Sequence, residues 1–207
     1  DHWEGERRAD AFGHQIALTG LRWQDAAVEP GQSLQAYIRW QKIGPTAADY
    51  AVGLRLLDEQ GHVRGLGSKP LVDIDRETYW DERGLEQAVL IPTSQWPDAE
   101  TTLDLYQLPA DLATPPGLYR AVLRVHYLDS WVGLPLLDEV GAARGYDLDL
   151  GAVQVLPASK PPDVATLPMQ THIDLDMTPT LRLEGHTLPT TPLRPGDRFT
   201  TSIFWSA

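Results

Sequence analysis

The densest run of oxygen ligands in the chain is Asp73-Ile74-Asp75-Arg76-Glu77-Thr78-Tyr79-Trp80-Asp81-Glu82. A hard cation such as Ca²⁺ takes about six to eight oxygens, and Asp73, Asp75, Glu77 and Asp81 on a loop would supply several of them. The spacing departs from the EF-hand pattern. Counted from Asp73, the sixth position holds Thr78 in place of the turn glycine, and Gly84 stands where the bidentate glutamate belongs. The run therefore reads as a solvated acidic loop, with a Ca²⁺ site as the lesser alternative.

Aromatic rings beside predicted loops offer a second kind of chemistry. Tyr79, Trp80 and Trp131 are placed to stack on the apolar face of a sugar or to anchor a protein surface, against the plainer reading that they cap the ends of a core. Trp96 reads as packing. The six histidines are scattered without pairs at zinc-ligand spacing. No Gly-x-Ser-x-Gly elbow, phosphate-binding glycine loop or cysteine nucleophile is present. A hydrolytic carboxylate pair is defined by separation in space, and nothing in the order of residues selects one pair among the 29 acids. No cofactor and no catalytic residue is expected.

Composition narrows the classes. A net charge of -12, with 17 basic residues that form no run, argues against nucleic acid as a partner. The lack of cysteine excludes disulfides and thiolate metal sites, so stability must come from burial. No apolar run approaches the ~20 residues that cross a bilayer as a helix, and the opening Asp1-His2-Trp3-Glu4 carries no signal-peptide core. Any export or anchoring segment is expected outside these residues.

The elements that must hold these groups are strands. Pro115-Pro116-Gly117 feeds a strand in which Tyr119, Ala121, Leu123, Val125 and Tyr127 share one face while Arg120, Arg124 and His126 take the other, as in a half-buried antiparallel strand. Strands are also predicted from Ile16 to Trp23, Ser33 to Trp40, Tyr50 to Leu57, His62 to Leu66, Thr101 to Leu108 and Leu148 to Leu156. Pro30-Gly31 and Asp58 to His62 mark turns between them, with Gly61 as the left-handed residue. Residues 67–100 read as a long connection holding one strand or a helical turn around Glu86–Leu90. The fold class is thus all-β: an immunoglobulin-like antiparallel sandwich of about seven to nine strands.

The pattern then recurs. At a constant shift of 165 residues, Ile16, Leu18, Gly20, Pro30, Gly31, Leu34, Ile38 and Trp40 meet Leu181, Leu183, Gly185, Pro195, Gly196, Phe199, Ile203 and Trp205. The organisation expected is a flexible lead-in over 1–11, a sandwich over 12–156 and a Pro-rich linker over 157–172. Residues 173–207 are read as two strands of a second repeat, or as strands completing a sheet in cis or across a dimer.

The order of these motifs resembles the extracytoplasmic β-sandwich domains attached to bacterial multi-pass membrane glycosyltransferase-like proteins related to the protein mannosyltransferases. The residues that carry it are Phe12-Gly13 with Ile16 to Gly20, Pro30-Gly31 before the strand ending in Trp40, Leu56 to Gly61, Trp96-Pro97, Leu108 to Leu112, Pro115 to Tyr119 and Tyr127-Leu128-Asp129. The resemblance implies an accessory, outward-facing module that spaces, docks or presents. Its parent would be membrane-anchored, with transferase chemistry in membrane segments this chain lacks. The loop aromatics, for their part, point to a glycan or a protein surface as partner. A carbohydrate-binding module using loop tryptophans is the alternative, and a loop-carboxylate hydrolase the weaker one. The Tyr119 position further resembles the tyrosine corner that opens strand F of immunoglobulin-like sandwiches.

Overall fold

Side-chain alternation lays out the sheets. Along Ser33–Lys42 every second residue is buried, and Ala36, Ile38 and Trp40 have no solvent exposure. This is the signature of a strand with one face in a core. The computed structural model describes residues 4–206 except 81–82, 84–85, 161–162, 191, 195, 198 and 200, and gives the backbone alone for 74–80 and 86–89. Its strands are β1 (Glu6–Phe12), β2 (Ile16–Trp23), β3 (Ala27–Val28), β4 (Ser33–Lys42), β5 (Tyr50–Leu57), β6 (Val63–Pro70), β7 (Val72–Trp80), β8 (Glu86–Pro92), β9 (Thr101–Pro109), β10 (Gly117–Tyr127), β11 (Leu148–Val155), β12 (Thr171–Thr178), β13 (Leu181–Thr187) and β14 (Ser202–Ser206). Among the described residues there is no α-helix, only 3₁₀ turns at Thr93–Gln95 and Val164–Thr166.

Two sheets face each other, ordered β1-β2-β4-β9 and β3-β11-β10-β5-β6. All pairings are antiparallel except that of β3 with β11. A short parallel strand beside the last strand of one sheet, with the first long strand in the other, is immunoglobulin-like wiring. Ile16, Leu18, Ile38, Trp40 and Leu108 come from one layer, and Val52, Leu54, Leu56, Ala121, Leu123 and Val125 from the other, to make a single core. Tyr119 is buried at the mouth of β10, and its hydroxyl donates to the Pro115 carbonyl at 2.6 Å. That bond fixes the Pro-Pro-Gly corner to the strand it feeds and is the tyrosine corner anticipated above.

The sandwich is closed along both long sides. On one, Gly65 and Gly67 of β6 lie against the carbonyls of Pro109 and Gln107 in β9; a Cβ there would sit 1.7 and 2.1 Å from those oxygens. Asp111 N–H donates to the Arg64 carbonyl at 3.0 Å beside this seam. On the other side the β10–β11 loop pairs with β1, with Leu137 N–H donating to the Ala11 carbonyl and Gly13 N–H to the Pro135 carbonyl, each at 2.9 Å.

The structure corrects four expectations. Residues 6–11 are not a flexible lead-in but most of edge strand β1. Its polar residues hid it, as edge strands commonly carry charge, and they are engaged: Arg8 donates to Asp10 at 2.6 Å and Arg144 to the same carboxylate at 3.1 Å. Residues 67–100 are not a long connection with a single strand or turn but hold the β7–β8 hairpin, in which Glu86–Leu90 takes the strand alternative and Asp73, Asp75 and Glu77 lie on a strand rather than a loop. The other face of β10 is not solvated throughout, since Val122 and His126 are buried. Finally, the C-terminal unit has three strands, β12-β13-β14, and its first begins at Thr171 inside the expected linker.

Register repeats with spacing. The β1–β2 pairs Glu6↔Leu21, Arg7↔Gly20, Asp10↔Leu18 and Ala11↔Ala17 recur, 165 residues on, as Thr171↔His186, His172↔Gly185, Leu175↔Leu183 and Asp176↔Arg182. Likewise Leu18↔Trp40, Gly20↔Arg39 and Leu21↔Ile38 recur as Leu183↔Trp205, Gly185↔Phe204 and His186↔Ile203. Even the β-bulges, between Arg7 and Asp10 and between Leu18 and Gly20, have counterparts at the same places.

Candidate functional site

β10 ends at Tyr127, and the chain then turns so that Tyr127 N–H donates to the Val132 carbonyl and Ser130 N–H to the Tyr127 carbonyl, both at 3.1 Å. This tight return folds Trp131 back over the outer face of the five-stranded sheet. The indole lies 4.6 Å from the His126 ring at an interplanar angle of 32°, and its edge reaches Gly53 of β5, the residue paired with Arg124. Trp131 remains 65% exposed, whereas His126 beneath it is 4% exposed.

The histidine Nδ1 lies 2.9 Å from both the Tyr127 and Ser130 carbonyls, which only accept, so Nδ1 carries a proton. Its Nε2 is buried and has no partner. A recess of about 270 Å³ opens beside the two rings, lined also by Ala51, Ser68, Lys69, Pro70 and Asp129. Its volume falls just below the range of about 300–1,000 Å³ usual for ligand clefts.

Further along the same strand face, Asp147 bridges two guanidinium groups. Arg124 Nε donates to it at 2.7 Å, and Arg55 from β5 pairs with the same oxygen. Burial pushes the Asp147 carboxyl up, but the bonds from Arg124 and Arg55 outweigh it and hold the pKa below the ordinary carboxylate range. The Arg124 guanidinium also sits 5.9 Å over the half-exposed Tyr146 ring. Trp131 and Tyr146 therefore flank a stretch of sheet surface in which one carboxylate faces two guanidinium groups.

The remaining residues singled out from sequence fare differently. Trp96 is buried, its indole donating to the Ile91 carbonyl at 2.9 Å and its own carbonyl accepting from Lys42 Nζ at 2.6 Å, which is the packing role expected. Asp73 accepts from the Thr102 hydroxyl at 2.5 Å. The side chains of Asp75, Glu77, Tyr79 and Trp80, and Asp81 entirely, lie outside the described residues. Among the described residues no three histidine or carboxylate side chains gather as a metal site. Larger hollows of about 640 and 510 Å³ lie along the β1 and β6–β9 seams, and neither presents an exposed aromatic ring. Sequence reading missed His126, Tyr146 and Asp147 as companions of Trp131. The alternation put His126 on the correct face, but nothing local shows that a turn will cover it.

Strand order and this surface define an immunoglobulin-like β-sandwich carrying a braced aromatic shelf. No family model matches the chain, and no curated protein matches it. Among solved structures it is similar to a family 123 glycoside hydrolase from Clostridium perfringens, described for glycolipid glycan hydrolysis, at 10% identity and a TM-score of 0.31 over 64% of this chain and 22% of that one. The chain thus spans less than a quarter of that protein's length, and its fold rests on its own strand order.

Proposed function

We propose that this chain is a non-catalytic accessory β-sandwich module, outward-facing in a membrane-anchored glycosyltransferase-like protein, and that the Trp131 shelf is where it holds carbohydrate. The observation that carries the reading is the indole itself: largely exposed, yet fixed in place by His126 below it. A ring ordered before binding loses little entropy when the C–H face of a pyranose stacks on it. Ser68 and Asp129 in the same recess are suited to sugar hydroxyls. The turn and corner motifs support the parent context, in which transfer chemistry belongs to other segments. No helix among the described residues is long and apolar enough to cross a membrane.

The test is a titration of the protein with neutral gluco-, manno- and galacto-oligosaccharides, followed by calorimetry and tryptophan emission. Binding is expected, and Trp131→Ala is expected to weaken it at least ~10-fold, or about 1.4 kcal/mol, with the melting transition retained. Equal binding by the variant would take the site away from Trp131, and no binding by the natural protein would reduce the module to a spacer.

A further inference from the structure

The β12-β13-β14 unit repeats the β1-β2-β4 register at a shift of 165 residues, apart from an added irregularity between Asp176 and Thr178 on β12, so its two faces can be assigned by correspondence. In the first unit, Ile16, Leu18, Ile38 and Trp40 have no solvent exposure because the β5–β10 layer covers them. Their counterparts are Leu181, Leu183, Ile203 and Trp205. Leu183 pairs with Trp205, and Ile203 lies two residues before Trp205, so these three share one side. Leu181, two residues before Leu183, joins them. Yet Leu181 is 37%, Ile203 53% and Trp205 47% exposed, while Phe204 on the opposite side is buried.

We infer that this apolar face is the inner surface of a second sandwich, and that its occupant is a sheet with the period-two pattern of β5 and β10, supplied in cis by polypeptide that follows β14. The first unit shows why the cover comes from the same chain. There β5 begins directly after the short connection of residues 43–49 that leaves β4, so the strand that starts the covering sheet is the next element in sequence. A second copy offers a poorer cover. Its own β5–β10 layer is already packed on its β2–β4 face, and what it leaves free is another three-stranded face without counterparts of β5 and β10. The inference is independent of sugar binding at Trp131.

Two measurements decide it. The natural polypeptide beyond β14 should carry an alternating apolar strand and then a Pro-Gly-x-Tyr corner, at the spacings these keep from β4. Hydrogen exchange should then show the β13 and β14 amides at least ~100-fold more protected in that longer polypeptide than in the 207-residue chain, with Trp205 emission shifted to the blue. Absence of the pattern, or equal exchange in the two, would overturn the inference. So would a 207-residue chain that sediments as a dimer with β14 already protected and is dissociated by Ile203→Asp, which would assign the face to a second copy.

Discussion

At the scale of single residues, two aromatic side chains are used in opposite ways. The Tyr119 hydroxyl is spent inside the protein, on the Pro115 carbonyl, and the ring is buried. Trp131 gives its ring to solvent and takes support from a histidine whose protonated nitrogen is shared between two carbonyls. Removing only the Tyr119 oxygen tests the corner. Tyr119→Phe keeps the packing and loses one hydrogen bond, for about 1 kcal/mol, which in a chain of this size lowers the melting temperature by roughly 2–4 °C. Thermal denaturation checks it, and a variant as stable as the natural protein would show that the Pro-Pro-Gly turn holds without the tether.

Strand against strand, the decisive contact is the β6–β9 seam, where backbone meets backbone because two positions have no Cβ. Gly65→Ala or Gly67→Ala pushes a methyl into a carbonyl that no rotamer change can move, so the edges must part. A loss of about 2–3 kcal/mol is expected from each. Gly61→Ala is the control: it sits at φ +83 in the β5–β6 turn with open space around it, so only the left-handed backbone is penalised, by about 1 kcal/mol. Urea denaturation separates the two cases, and equal costs would mean the seam is looser than its geometry. Elements of this kind were legible in sequence only where one face meets the core. β2, β4, β5, β9, β10 and β11 show that alternation or a clear apolar run; β1 and β12 do not, because an edge strand buries little and is held by backbone pairing. The shelf was half legible for the same reason. Trp131 stood out as an aromatic in a loop, whereas its contact with His126 depends on a turn that returns the chain over the sheet.

For the molecule as a whole, the excess of acids makes pH the broadest lever on stability. Asp58 is pushed up by burial, but bonds from the His62 backbone, Arg64 and the His62 ring outweigh this and leave it lowered, and Asp147 is lowered by its two arginines. A carboxylate with a depressed folded-state pKa stabilises the fold above the ordinary value of about 4, and that contribution is lost as pH falls through the depressed value. Asp111 runs the other way. Burial raises it against the pull of Arg64, so its protonation on the way down adds stability, as does relief of the -12 net charge. The melting temperature should therefore change little or rise slightly from pH 7 to about 5, then fall steeply below about pH 4 as Asp58 and Asp147 become protonated. Asp147→Asn should be less stable at pH 7, since it loosens Arg55 and Arg124, and should show a shallower acid limb because one titrating group is gone. Melting curves of both proteins from pH 3 to 7 check this. Parallel acid limbs would mean that the Asp147 bridge contributes nothing to holding β5 and β10 to the loop before β11, and the steep fall would have to be assigned to Asp58 and the turn it closes.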